Sequence, residues 1–435
     1  MGLRPSVSEL LKNVELPRMI RVKQVFPRPQ LLPEEIPAAV RSEIARENLA
    51  QRVRPGMRIA ITVGSRGIAN VNIITKAVVD FCKEQGAEPF IVPAMGSHGG
   101  ATAEGQRAIV EGYGCTEAYL GCPILSSMET VKIGVNDQGD DVYIDKNAAN
   151  ADGIIVNCRV KPHSAFRGRF ESGIMKMMTI GLGKQHGAET CHAEGMPNMP
   201  KNVPLYGRAI LKNAPILFAI ATIENAFDET ARIVAVPAEK VEEVEPGLLE
   251  EAKANMPSIM VNRADILVVD ELGKNYSGDG MDPNVTGNWP NPYVKGGLDA
   301  DKVAVLNVSK ESHGNAVGMG NCSAITTRIY DQLDLAAVYV NALTANQMSA
   351  AFIPPVMESD KECIQMCVRT LWGKEHPNLK VVRIPNSLHV EHIMLSEAYL
   401  DEIRANPNLI IEGEPEPWPF DENGNIPMRD GRLVF

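Results

Sequence analysis

Lys176 and His192 stand sixteen residues apart inside KPHSAFRGRFESGIMKMMTIGLGKQHGAETCH, the stretch from Lys161 to His192 that holds three of the eight histidines. The run from Gly173 to Gly183 is largely apolar yet carries Lys176 in its middle. Burial disfavours an ammonium ion and lowers its pKa, which is how a lysine becomes a nucleophile or a covalent anchor; Lys176 is the first candidate and Lys184 the next. His192 follows in a polar segment, and imidazole is a natural ligand for a late transition metal. A second reading stays open: Lys176 snorkels from an amphipathic helix and His192 is a surface residue.

Three more candidates sit where short strands should end. Arg58 to Val63 (RIAITV) reads as a buried strand running into Gly64-Ser65-Arg66-Gly67, and Pro89 to Pro93 as another, ending in Met95-Gly96-Ser97-His98. Asp152 to Val160 is a third, delivering Lys161-Pro162-His163. The intervening segments, Asn72–Gln85 and Thr102–Tyr113, read as helices, as does Glu34–Val53 before the first strand. Strands alternating with helices at this spacing make parallel βαβ units, whose ligands lie beyond the carboxyl ends of the strands. Arg66, His98 and His163 therefore share one edge. A planar cation for a carboxylate and two imidazoles near neutral pKa form a set for acid–base work on a small acid.

The elements that follow complete an α/β fold class with two domains, a first over 1–255 and a second over 256–395. The active site is expected in the cleft between them. Ala214–Glu224 reads as a long strand and Glu239–Ala254 as an acidic surface helix. Around 256 the pattern restarts with the strand Ala264–Asp270, then strand-like runs at Lys302–Val308, Ala336–Val340 and Leu379–Ile384. The strand at 264 leads into a polar loop, Gly273 to Asn284, in which Lys274 and Asn284 are candidate substrate-binding residues. The tail 396–435 is expected to pack back on the first domain.

Composition narrows the function classes. A net charge of −11 opposes a general nucleic-acid or membrane-surface role, and 44% hydrophobic with 22% charged residues is ordinary for a globular protein. No window reaches the roughly 18 apolar residues of a membrane span, and the first residues lack the apolar core of a secretion signal. Eight scattered cysteines without a C-x-x-C pair fit a reducing compartment, so the expectation is a cytoplasmic protein with a small-molecule partner. The phosphate-loop, G-x-G-x-x-G, G-x-S-x-G and H-E-x-x-H motifs are all missing.

Taken together, Ser65-Arg66-Gly67, Gly96-Ser97-His98, His163, Lys176 and His192 resemble the nickel-dependent lactate racemase family. The resemblance implies a nickel-pincer nucleotide tethered through Lys176, with His192 as the protein ligand to nickel. It also implies that Ser65 and Gly67 contact the cofactor, Arg66 holds the substrate carboxylate, and His98 and His163 exchange protons with the 2-hydroxyl group. The activity implied is racemisation or 2-epimerisation of a 2-hydroxy acid by hydride transfer through a 2-oxo acid. Three features depart from the family pattern: Val63-Gly64 stands before the arginine motif in place of an acidic residue, the interval from His163 to Lys176 is longer, and the second-domain D-x-x-Q-x-x-K element is replaced by the loop 273–284. The polar loop points to an aldonate such as gluconate, with lactate or malate as alternatives. From other classes come a hydrolase or lyase holding a metal on His163, His186 and His192, and a non-catalytic cofactor-binding protein.

Overall fold

The computed structural model describes residues 5–65, 67–344, 346–373 and 378–435. The chain divides into two compact units, one of residues 27–256 and one of residues 1–26 with 257–435. Both are α/β with parallel strands.

The unit of 27–256 is built on a five-stranded sheet in the order Glu88–Pro93, Arg58–Val63, Gly153–Arg159, Ile216–Glu224, Thr230–Pro237. The first four are parallel and the last is antiparallel. The central strands read as unbroken apolar runs because helices cover both faces. One face carries Val71–Glu84 with the helix Ile36–Arg46, and the other carries Met199–Asn213 with Val241–Asn255. From Arg58–Val63 the chain crosses first to one neighbour and later to the other, so the topological switch point lies at this strand. The fold wraps a hairpin, Thr130–Val135 with Asp141–Asp145, into the same unit. No strand was expected there, because its face is only half-buried and the alternation is interrupted by Gly134.

The second unit holds an eight-stranded mixed sheet. Its parallel part runs Val356–Met357, Ala324–Thr326, Asp299–Val308, Arg263–Leu272, Val381–Ile384. It continues antiparallel through His392–Ser396, Met19–Gln24 and Leu409–Ile411. Residues 1–26 and the tail thus belong to this unit, where the sequence pattern had placed them with the first. Met19–Gln24 is a partner strand with Ile20 and Val22 buried, and Trp418 of the tail donates its indole N–H to Pro17 O at 3.0 Å. The run at 336–340, expected as a strand, lies in the helix Leu335–Thr344. There Val338 and Ala342 are buried and Tyr339 and Val340 exposed, a spacing of four that serves a helix.

Candidate functional site

The parallel register aligns Val63 with Pro93, and Ile61 with Ile155, so the chain leaves all three strands at one edge of the sheet. Ser65, the loop to His98, and the segment from Lys161 to His163 are the first residues beyond it. Arg66 lies outside the described residues. Gly67, also read as a cofactor contact, is exposed beside the Tyr113 ring.

Ser65 Oγ and His98 Nδ1 are hydrogen-bonded, and the Tyr113 hydroxyl donates to Ser65 O at 2.6 Å. The structure therefore ties Ser65, expected against the cofactor, to an imidazole. A serine hydroxyl can donate or accept, so this partner serves either neutral tautomer of His98.

His163 sits in a closed loop. Lys161 and Ser172 exchange backbone hydrogen bonds at 2.8 and 3.1 Å, and the carboxylate of Glu171, buried at the loop's centre, accepts from His163 N at 2.8 Å and from Arg167 Nη1 at 3.2 Å. The His163 ring stacks on Phe166 with centroids 4.2 Å apart. Ala165 N–H donates to His163 Nδ1 at 2.9 Å, so the neutral ring carries its proton on Nε2.

Lys176 closes a short helix, Ile174–Lys176, that widens at once into a π-type turn: Leu182 N–H reaches back five residues to Met177 O at 2.9 Å. The helix start is capped from below by Glu245. Its carboxyl accepts from Met175 N at 3.0 Å and approaches so closely that a Cβ at residue 173 would lie 2.2 Å from Oε1; only glycine fits. Glu245 is 1% exposed, although its helix reads as an acidic surface helix. Burial pushes its pKa up to about 8.

His192 ends the helix Lys184–His192. Its Nδ1 lies 2.8 Å from Ala188 O; a carbonyl only accepts, so Nδ1 is the protonated nitrogen and Nε2 keeps its lone pair. Burial, and then the nearby positive charge of Lys176, hold its pKa below the ordinary range. A neutral imidazole with its other N–H tied to a carbonyl is the form a metal ligand takes. The donor set thus fits a metal cofactor held by His192 with Lys176 beside it.

Glycines let these pieces close together. A Cβ on Gly64 would meet Met177 at 3.0 Å, and one on Gly96 would meet Ile180 at 3.2 Å. The turn after the first strand and the loop to His98 both rest on the segment that follows Lys176.

Other expected residues have partners of their own. His186 is exposed and lies tilted against Tyr143 of the hairpin with ring centroids 4.2 Å apart, and among the described residues no three His, Cys, Asp or Glu side chains gather as a metal site. Lys274 and Asn284 belong to the other unit. Lys274 Nζ donates to Gly278 O and Asn341 Oδ1, both at 2.6 Å, while Asn284 donates twice to Asp282 Oδ1, which begins the helix Pro283–Thr286. Much of the loop 273–284 is thus turn chemistry. All eight cysteines are free thiols; burial pushes several up to about 12, which makes them inert. No helix among the described residues is long and apolar enough to cross a membrane.

Glu171, Glu245 and Gln106 were not singled out as site residues from the sequence, and Lys184 was only the second candidate for a covalent anchor. The one signal for them was their company: glycines at 99, 105, 173 and 183, each marking a close approach.

The chain matches the model of the lactate racemase N-terminal domain over residues 6–203, somewhat under half its length. A solved structure, the lactate racemase apoprotein from Thermoanaerobacterium thermosaccharolyticum, is similar at 14% identity with a TM-score of 0.46, covering 84% of this chain and 88% of that one. No curated protein matches the sequence.

Proposed function

We propose, from the premise that residues 6–203 match the lactate racemase N-terminal domain, that this chain is a racemase or 2-epimerase of a 2-hydroxy acid. The observation that carries the proposal is the pairing of Lys176 with a neutral, Nδ1-anchored His192 beside the loop that bears His98. Lys176 would tether, and His192 would ligate, a nickel-pincer nucleotide. Such a group supplies a hydride acceptor, which lets the substrate pass through a flat 2-oxo acid open to return on either face.

The chain's own residues then have three tasks. One is to hold the carboxylate, the role proposed for Arg66. Another is to move the hydroxyl proton. His98 is suited to both directions, because with Nδ1–H donating to Ser65 Oγ the Nε2 lone pair can take the hydroxyl proton and the resulting imidazolium, its Nδ1–H still held by Ser65, can return it. His163 starts as an Nε2–H donor, so taking up a proton at Nε2 requires it to flip or to surrender the Ala165 bond. The third is to exclude water from the reacting carbon, for which the apolar turn from Met177 to Gly181 supplies the wall.

The substrate class extends to a polar aldonate such as gluconate, on the polarity of loop 273–284. Lactate or malate is the second reading, favoured because Asp282 and Asn284 already bond to each other. Comparing kcat/KM for lactate, malate and gluconate on cofactor-loaded enzyme decides between them: a clear preference for lactate makes the loop a turn only.

The reaction itself is tested by solvent isotope. Racemisation in D2O should leave C2 unlabelled, and His98→Gln or His163→Gln should slow exchange in both directions by about 100-fold or more. Full deuterium wash-in at C2 would mean proton abstraction and end the hydride scheme.

A further inference from the structure

A buried polar relay runs beneath the loop of His98 and belongs to none of the roles above. Gln106, on the helix Ala103–Gly112, is fully buried. Its Nε2 donates to Gly96 O at 2.8 Å and to His98 O at 3.2 Å, and its Oε1 accepts from Lys184 Nζ at 2.9 Å. A glutamine amide has two donors on one side and an acceptor on the other. Here both ends are used, with two carbonyls on the donor side and an ammonium on the acceptor side, so the amide has one possible orientation.

Lys184 is equally confined. It is 0% exposed, its Nζ also donates to Pro93 O, and Asp145 Oδ2 lies 3.3 Å away, itself without exposure. The ammonium's three donors thus face the end of the second strand, Gln106, and a carboxylate whose own backbone N–H donates to Leu182 O at 2.7 Å. Lys184 holds φ at +53°, a left-handed conformation that costs a lysine about 1 kcal/mol or more. A glycine would adopt it without strain but could not reach these partners. Such strain persists where the surroundings impose it. Eight residues separate Lys184 from Lys176 and eight from His192, so the relay joins the helical segment of the proposed anchor and metal ligand to the loop of His98.

We propose that Gln106, oriented by Lys184, is a positioning residue for His98: it clamps the Gly96 and His98 carbonyls and thereby sets the imidazole relative to the Lys176–His192 segment. The inference rests on the reading of His98 as the proton-transfer residue. Loop displacements of about 1 Å cost catalysis roughly 100-fold, which is the scale at which such a clamp matters.

Gln106→Glu separates this role from plain packing. The variant keeps the shape and the Lys184 contact, but when ionised it turns an acceptor toward two carbonyl oxygens. When protonated it can still donate to one of them. With histidine-labelled protein lacking any cofactor, and the His98 signal assigned by His98→Gln, the His98 ring resonances of Gln106→Glu should shift with a pH transition absent from wild type. The His163 and His392 resonances should stay unchanged. In cofactor-loaded enzyme, kcat should fall about 10- to 100-fold at neutral pH with KM within about twofold, and recover as pH falls. In wild type the Gln106 side-chain amide protons should exchange slowly with solvent, a reading that needs no variant to fold.

Wild-type His98 signals in Gln106→Glu, or fast exchange of the Gln106 amide, would overturn the clamp. Loss of activity with unmoved His98 signals would overturn it too. If His98→Gln racemises normally while Gln106→Glu still moves the His98 signal, the clamp stands and the catalytic reading of His98 fails.

Discussion

Two lysines eight residues apart show how neighbours decide chemistry. Lys184 is fully buried with acceptors on all sides, and burial lowers its pKa against the pull of Asp145. Lys176 is only partly buried and lies near His192 and Cys191, on both of which its charge acts. Lys184 was the second candidate for a covalent anchor on sequence grounds, and its enclosure removes it. The expected outcome is that Lys176→Ala, made alongside the cofactor pathway, loses any added mass entirely and gains none at Lys184. Intact-mass spectrometry with peptide mapping checks this; an adduct of unchanged mass in Lys176→Ala would place the tether elsewhere. At the same scale, the tautomers of His163 and His192 are set by single bonds to Ala165 N–H and Ala188 O. Neither bond can be read from a list of residue types.

At the scale of elements, the segment from Gly173 to His192 depends on a buried carboxyl. Glu245 has a pKa of about 8 against an ordinary 4.5, so between those values the folded state holds a proton that the unfolded state has released. By linkage, its contribution to stability is fully present below 4.5 and is lost as pH rises through about 8, with a slope of up to about 1.4 kcal/mol per pH unit. Wild-type Tm should therefore fall over this range, and Glu245→Gln should flatten that part of the profile; an identical profile in the variant would show that Glu245 is not responsible. Gly173→Ala puts a methyl 2.2 Å from Glu245 Oε1 and should cost about 1–3 kcal/mol in chemical denaturation. An unchanged midpoint would mean the cap relaxes freely.

For the molecule as a whole, the tail belongs with the second unit's core. Arg383, 1% exposed, binds Asp270 in a bidentate pair at 2.8 and 2.9 Å, donates to Val434 O at 2.8 Å, and lies 5.8 Å from the Trp418 ring centroid. Trp418 stacks on Phe420 with centroids 5.7 Å apart. Trp418→Ala should destabilise this unit by about 3–5 kcal/mol. Amide exchange should quicken in the strands Arg263–Leu272 and Val381–Ile384 and stay at wild-type rates in Arg58–Val63 and Gly153–Arg159. Equal quickening in both units would show that they unfold as one.

The sequence by itself determined the parallel α/β framework of the first unit, because buried strands covered on both faces must be apolar throughout and their connecting helices must be amphipathic. It also placed His98 and His163 just past strand ends and Lys176 sixteen residues before His192, since those are facts of local order along the chain. Tertiary structure alone decided the rest. The apolar run at 336–340 suits strand or helix, and only packing chose the helix. Met19–Gln24 and the tail joined the second sheet because strand pairing is non-local, with Met19 bonded to Glu416 across nearly the whole chain. Gln106 and Glu245 read from sequence as ordinary polar residues and Lys184 as a second candidate anchor; what makes them structural is burial against partners between 70 and 91 positions away, and no local pattern records that distance.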